Sequence, residues 1–318
     1  MAILTPNLQC HAQPHWLNTP PDQWRSGTLN RQALYGHADQ FLLSADCHDA
    51  CRGFAENMLS CYESSWLLNR IVREIPRFAL MGFVMYLHHR RDIDELGVTY
   101  TRIQELYALG YNAGILASPS RVKAMLNFTV MAGLLRRVES RDKRIKLLEP
   151  TEKMLKPSLH WLERYLEAVG RAVPLLKSPQ VLVATPEMLG ELMTYHVHAY
   201  IYDRFGLSEA FPAVDYFLYR ENGYMTLMEI IRTLRFEEGE WRAQAPSVIL
   251  SKKFSMARGT VRNLLASCEE QGLLISSARG GHKLILTDDF ANLCYRWVSL
   301  EIVWMAGLAN AAAVKLCG

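Results

Sequence analysis

The segment from Ser247 to Thr287 predicts two short helices followed by a β-hairpin, and this order of elements constrains the fold more than any other feature of the sequence. Residues 247–254 place apolar side chains on one side, as a short half-buried helix does. The second helix can begin at Ser255 as its N-cap and end at Gly272, because glycine readily adopts the left-handed conformation that follows a helix. The buried stripe of this second helix consists of Val261, Leu264, Leu265 and Cys268.

The hairpin is predicted from two apolar runs at 273–275 and 283–286. Between them, Gly280 and Gly281 permit the positive φ angles that tight hairpin turns require. A helix with an apolar back and a basic, hydroxyl- and amide-bearing front, followed by a hairpin, is typical of proteins that insert a helix into the DNA major groove.

The same order of elements is predicted a second time, from Thr99 to Thr151. Ser118 followed by Pro119 is a preferred start of a helix, and a hairpin of residues 134–138 and 144–148 with a basic turn comes after it. A shift of 139 positions aligns Val122-Lys123 with Val261-Arg262, Met125-Leu126 with Leu264-Leu265, and Gly133-Leu134-Leu135 with Gly272-Leu273-Leu274. The helices expected to precede the two copies are Pro76–His89 and Met225–Phe236.

The downstream copy resembles the DNA-binding domain of GntR-type transcription regulators, in about 40 residues that contain ARGTVRNLL, QGLL and RGGHKLILT. The upstream copy is similar to MarR-type regulators, in which a charged hairpin of the SRDKRIKLLEPTEKML kind leads into a long helix. An aspartate in this hairpin is commonly followed by arginine in that family, whereas Asp142 is followed by Lys143 and then Arg144. Both resemblances imply a winged helix-turn-helix, in which the hairpin is the wing. For the helix after residue 157, the MarR resemblance implies a role in dimerisation.

Positive charge is concentrated on the two copies, although the net charge of the chain is only +3. Residues 119–148 contain eight basic and two acidic side chains, and residues 251–283 contain six and two. The rest of the chain is therefore net negative. This distribution is what binding to a phosphate backbone requires. Solvated helix and wing surfaces are often basic as well, so charge alone does not decide the function.

The side chains expected to contact DNA lie on the second helix and the wing of each copy, and on the helix before it in the downstream copy. In the upstream copy they are Ser120, Arg121, Lys123 and Asn127 on the helix, with Arg141, Lys143 and Arg144 on the wing. In the downstream copy they are Lys252, Lys253, Arg258, Thr260, Arg262 and Asn263, with Arg279 and Lys283 on the wing. We expect the helices to read or position bases and the wings to contact phosphate or the minor groove.

Other classes of function have little support in the sequence. Phosphate-binding loops, dinucleotide fingerprints, nucleophile elbows and H-E-x-x-H zinc motifs are absent, so we expect neither an enzyme nor a cofactor or metal. Seven cysteines without a C-x-x-C motif suggest reduced thiols in a cytoplasmic protein. No basic, apolar secretion signal begins the chain, and no uninterrupted apolar run reaches the ~18 residues of a membrane span, so we expect no membrane partner.

The sequence thus predicts a mainly α fold with two winged helix-turn-helix domains joined by helical segments. The expected divisions are 1–70 for an N-terminal arm and helices, 71–156 for the first winged domain, 157–222 for a helical linker or dimerisation region, 223–290 for the second winged domain and 291–318 for a C-terminal packing helix. The aromatic-rich stretch 195–224 could form a pocket for a small-molecule effector or, as we prefer, a helical core between the winged domains.

The function that follows is sequence-specific binding of double-stranded DNA by a transcription regulator, expected to be a homodimer. Two alternatives stay open. Plasmid- and phage-type replication initiators also carry tandem winged domains and would bind iterated sites. Winged domains serve in addition as protein-interaction scaffolds, for which a less basic helix front is expected.

Overall fold

The computed structural model describes residues 31–63, 69, 74–91, 97–109, 117–140, 144–185, 187–201, 205–208 and 210–317, with the backbone alone for Arg279 and Cys317. The protein is mainly α-helical and contains two small antiparallel sheets, as predicted. The irregular arm expected over residues 1 to about 40 lies largely outside the described residues. Its last part, residues 31–40, is helical instead.

The first half of the chain supplies three helices before the first sheet and a long one after it. In order, the elements are α1 (Arg31–Leu42), α2 (Cys47–Glu63), α3 (Ile75–His89), β1 (Val98–Thr99), α4 (Tyr100–Leu109), α5 (Pro119–Met131), β2 (Leu135–Val138), β3 (Leu147–Pro150) and α6 (Glu152–Ala172). We had expected a helix to restart near Pro157, but α6 runs through this residue. Proline lacks the N–H that would bond to residue 153, and packing of the apolar stripe of α6 outweighs this lost bond.

The second half ends in the longest helix. Its elements are α7 (Pro179–Ala184), α8 (Met188–Ile201), α9 (Pro212–Leu218), α10 (Gly223–Thr233), β4 (Arg235–Glu237), β5 (Glu240–Ala243), α11 (Ser247–Phe254), α12 (Arg258–Glu270), β6 (Leu274–Ala278), β7 (Lys283–Leu286) and α13 (Asp288–Cys317). A short 3₁₀ turn, Arg279–Gly281, connects β6 to β7.

The core is organised around α13, which packs against α1, α2, α6 and α8. By length and composition this helix could span a membrane, yet 89% of its most apolar window is buried inside the protein. Arg296 anchors it to α1 through two hydrogen bonds to Asp39, at 2.7 and 2.9 Å. The predicted C-terminal packing helix thus lies against the N-terminal helices α1 and α2, and most of its apolar window is buried.

The upstream unit, residues 75–150, has the order α3, β1, α4, α5, β2, β3. Its three strands form a sheet in the order β1-β3-β2, so the hairpin made by β2 and β3 is extended by the short strand before α4. Ser118 caps α5 as predicted, because its hydroxyl accepts a hydrogen bond from the Arg121 N–H. Gly133, at φ 72°, lies between α5 and β2.

The downstream unit, residues 223–286, has the order α10, β4, β5, α11, α12, β6, β7 and a sheet in the order β4-β5-β7-β6. The bounds of α11 and the C-terminal glycine of α12, Gly272 at φ 69°, agree with the prediction. The prediction of a helix over Met225–Phe236 is wrong at its C-terminal end, because the helix ends at Thr233 and the chain continues into β4.

The β4–β5 hairpin was not predicted. Glu238 and Gly239 form its two-residue turn, both with positive φ, at 53° and 82°. Positive φ at both central residues is the turn geometry that matches the twist of paired strands.

Ser255 was expected to be the N-cap of α12. It instead ends α11 in a left-handed conformation with φ 53°, and Ala257 occupies the N-cap position without a side-chain hydrogen bond. Only three residues separate α11 from α12, and the left-handed conformation of Ser255 forms part of this tight turn.

Candidate nucleic-acid interface

The exposed face of α5 carries the four upstream helix residues that the sequence singled out. Val122, Met125, Leu126 and Thr129 point into the protein, and α4 packs against this side. The opposite side exposes Ser120, Arg121, Lys123 and Asn127. The structure therefore brings these four residues together on one surface, although two of them have partners within the protein.

Arg121 and Asn127 are held by neighbouring elements. The Arg121 guanidinium pairs with the Glu74 carboxylate at 2.6 Å, and Arg77 contacts the same carboxylate at 3.0 Å. Tyr100 donates a hydrogen bond of 2.9 Å to the Asn127 side-chain oxygen. DNA that contacts Arg121 must therefore compete with Glu74, which precedes α3.

The upstream hairpin, predicted to be a wing, is only partly within the described residues. Arg141 and Lys143 lie outside them, and Arg144 is exposed and takes part in an interaction of its own. Two exposed arginines on β2 were missed as candidate DNA contacts. Arg136 pairs with Glu149 at 2.8 Å, whereas Arg137 has no partner among the described residues. Both lie in a predicted strand of the hairpin, but our candidate DNA contacts in this hairpin included only Arg141, Lys143 and Arg144.

The basic side chains on the exposed face of α12 have fewer acidic partners than those on α5. Val261, Leu264, Leu265 and Cys268 are buried as predicted. Arg258, Arg262 and Asn263 are exposed, Thr260 is half-buried, and within the described part of the chain neither guanidinium has a carboxylate partner. Arg258 and Arg262 are four residues apart and so lie on the same side of the helix, one turn from each other.

The two lysines of α11 differ from each other. Lys252 is exposed, whereas Lys253 forms an ion pair of 2.5 Å with Glu63 at the end of α2. The charge of Lys253 is thus already paired within the chain, at a partly exposed position. The predicted downstream residues that remain exposed, with no side-chain partner among the described residues, are Lys252, Arg258, Arg262, Asn263 and Lys283.

The downstream hairpin, predicted to be a wing, is anchored to the segment that precedes α11. The Ala245 N–H donates a hydrogen bond of 2.8 Å to the Gly281 carbonyl. A methyl group on Gly281 would lie 2.3 Å from the Ala245 carbonyl oxygen, so this close approach requires glycine as much as its φ of 80° does. Lys283 is exposed on β7, and the side chain of Arg279 is outside the description.

In the part of the chain that the structure describes, histidines and cysteines form no group of three or more potential metal ligands with Asp or Glu. His89 contacts Glu191, and His196 accepts a hydrogen bond from the Trp304 indole. Burial lowers the pKa of His196 to about 4, so this histidine is neutral at pH 7. Cys47, Cys51, Cys61, Cys268 and Cys294 are buried free thiols.

No protein-family model, curated protein or solved structure matches this chain. Its function therefore has to be argued from its own surface chemistry and geometry.

Proposed function

We propose that the upstream and downstream units are winged helix-turn-helix domains and that the chain is a sequence-specific, DNA-binding transcription regulator. The observation that carries the proposal is the α12 face. It presents Arg258, Arg262 and Asn263 to solvent, without acidic partners among the described residues, on a helix whose opposite side is buried.

The chemistry of this face suits base edges in a major groove. A guanidinium can donate two parallel hydrogen bonds to guanine, and an asparagine amide can pair with adenine in the same way. Lys252 on α11 and Lys283 on the wing flank this helix in the sequence and would contact phosphate, which positions the domain without reading sequence. The order of helices and strands in both units supports the same assignment, because in a winged domain the second helix of the helix-turn-helix is followed by a β-hairpin.

Binding of DNA by the upstream unit would replace the ion pair between Arg121 and Glu74 with a contact between Arg121 and the DNA. Arg121 is paired with Glu74, so its contact with DNA gains less than that of an arginine without a partner. Lys123 and Ser120 are exposed beside it and have no partner among the described residues. We therefore propose that α12 contributes more affinity than α5 and that the upstream unit mainly extends the recognised site.

The test is selection of binding sites from a random pool of DNA duplexes, followed by affinity measurements on the selected site at several salt concentrations. Arg258→Glu and Arg262→Glu should each weaken binding by roughly 10- to 100-fold, since each removes a bidentate base contact and adds a repelled charge. Arg121→Glu should weaken it less and alter a different part of the selected motif.

The matched control is Lys177→Glu, the same change of charge at an exposed lysine between α6 and α7. Its affinity should stay within a factor of two to three of wild type, as expected of a charge far from the contact. Absence of any binding at low salt, or equal effects of Lys177→Glu and Arg258→Glu, would refute the proposal and favour a protein-interaction scaffold. Selection of iterated sites that the protein also melts would favour a replication initiator.

We further propose a cytoplasmic homodimer. The five buried free thiols support a reducing compartment. The apolar stripe of α6, expected from the MarR resemblance to form a dimer interface, is covered by α2 and α13 of the same chain. The proposed homodimer must therefore use a different surface, and sedimentation of the purified protein measures whether it forms.

A further inference from the structure

A cavity of about 210 Å³ lies at the centre of the helical core. Helices of both units contribute to its wall, α3 from the upstream unit and α10 from the downstream unit, together with α6, α8 and α13. Much of the wall is aromatic, and the rings that matter below belong to Phe78, Trp161, Tyr165, Tyr224 and Trp297. The rings are packed edge to face, with centroids 5.5 Å apart for Phe78 and Trp161 and 6.5 Å apart for Tyr224 and Trp297.

One polar group on α13 interrupts this wall. The Glu301 carboxylate lines the cavity, four residues after Trp297 and on the same side of the helix. It accepts a hydrogen bond from the Tyr165 hydroxyl through Oε2, while Oε1 has no partner in the described part of the chain. The cavity therefore offers an acceptor that the protein itself does not use.

Keeping an ionised carboxylate in an aromatic cavity is unfavourable for an empty protein. Burial raises the pKa of Glu301 to about 7, because the surroundings disfavour the charged carboxylate. Perturbed acids beside a cavity and unused polar groups inside it are features of binding sites.

We infer that this cavity binds a small aromatic amine of one or two rings. Its ammonium group would pair with Glu301 Oε1, and its ring would stack within the aromatic wall. Tyrosine and tryptophan faces also attract cations directly, which adds to the preference for an amine over a neutral ring. The volume fits this size class, since a cavity of about 150 Å³ already holds benzene.

A ligand in this cavity would contact helices of both proposed DNA-binding units. The first helix of the upstream unit supplies Phe78 to the wall, and the first helix of the downstream unit supplies Tyr224. Glu74, the carboxylate that pairs with Arg121, also lines the cavity. An effect of the amine on DNA affinity rests on the proposed function, whereas amine binding itself does not.

The experiment is isothermal titration of the full chain with three compounds that share a phenol ring: tyramine, 4-ethylphenol and 4-hydroxyphenylacetate. Tyramine, the cation, should bind at least tenfold tighter than the neutral and anionic compounds. Glu301→Gln should weaken tyramine binding at least tenfold and remove its advantage over 4-ethylphenol. The matched control is Glu270→Gln, the same substitution at an exposed site on α12, which should bind tyramine as wild type does.

A second variant keeps the test decisive if Glu301→Gln does not fold. Gly82 lines the cavity opposite Met193, and Gly82→Met would fill it with a flexible side chain while keeping Glu301. This variant should bind none of the three compounds. The inference is overturned if tyramine does not bind, binds no tighter than 4-hydroxyphenylacetate, or binds equally well to wild type and to the folded variants.

DNA affinity measured on the same preparations separates the two proposals. Protein that binds DNA but not tyramine overturns the amine site alone. Protein that binds tyramine but not DNA overturns the proposed function and leaves the amine site in place.

Discussion

Glu191 shows how a single buried charge connects distant parts of this chain. Its carboxylate, 2% exposed, contacts Lys315 near the end of α13 at 2.5 Å and His89 at the end of α3 at 3.3 Å. Burial by itself would raise the pKa of Glu191, but the hydrogen bonds and charges of His89 and Lys315 outweigh it and hold the pKa at about 2. A carboxyl group with a lowered pKa stabilises the folded state where it is ionised in both states.

Glu191→Gln should therefore lower the free energy of unfolding at pH 7 by about 2–3 kcal/mol, since it leaves Lys315 without its counter-charge. The stabilisation by Glu191 is complete above its ordinary pKa of 4.5 and disappears as the pH falls towards 2. The gap between wild type and variant should close over that pH range in urea unfolding. Glu187→Gln, at an exposed site one turn earlier, is the control and should change stability little at any pH. A gap that persists at pH 2 would contradict this account.

At the scale of elements, the wing of the downstream unit depends on a backbone contact. Gly280 and Gly281 have similar φ angles, 76° and 80°, so any other residue would be strained at either position. They differ in their surroundings. A methyl group on Gly280 would meet its nearest atom, the Ser247 hydroxyl oxygen, at 3.5 Å, whereas on Gly281 it would collide with the Ala245 carbonyl.

Gly280→Ala should cost about 1–2 kcal/mol of stability through its left-handed backbone alone. Gly281→Ala should cost at least about 2 kcal/mol more, because the wing must move away from the segment before α11. Thermal unfolding of both variants measures the difference. Equal losses would show that the wing is free to shift and that the contact with Ala245 does not fix its position.

Local signals in the sequence located some helix bounds but not the short strands beside them. Ser118 with Pro119 and the glycine after α12 act within one turn of chain, so they marked helix bounds correctly. The β4–β5 hairpin was missed because its strands have three and four residues and carry mostly charged or exposed side chains. Apolar alternation in strands this short is too weak to distinguish them from a helix end.

The side-chain partners of the candidate interface could not have been predicted, since they come from distant positions. Glu74 is 47 residues from Arg121, and Glu63, which pairs with Lys253, lies at the end of a different helix, α2. Nothing in the spacing of charges indicates which arginines are paired internally. The cavity could not be located for the same reason. The aromatic stretch 195–224 was interpreted as a pocket for an effector or, by preference, as a helical core, and the cavity needs α3, α6 and α13 as well to complete its wall.

At the scale of the whole molecule, the two units share one core. α3 of the upstream unit packs on α8, α10 of the downstream unit packs on α2, and α13 contacts both α8 and α2. Leu300 of α13 is fully buried at this junction. The units are therefore expected to unfold together, in spite of their repeated pattern.

Leu300→Ala should lower the free energy of unfolding by about 2–5 kcal/mol, as for other large-to-small changes in a packed core. Denaturation followed by tryptophan fluorescence and by circular dichroism should give one coincident transition, displaced to lower denaturant in the variant. Val314→Ala, at an exposed position of the same helix, provides the comparison and should shift the midpoint little. Two separate transitions would mean that the units fold independently.

The position of α13 in the chain has a consequence for biosynthesis. This helix comes after every element that it packs against, and α1, its partner through Arg296, is the earliest helix that the structure describes. The ribosome therefore makes the whole framework before the segment that fills its centre. Until then, the apolar sides of α1, α2, α6 and α8 are exposed on the nascent chain, where chaperones act. Substitutions in α13 should consequently reduce the yield of folded protein in cells more than the function of the molecules that do fold.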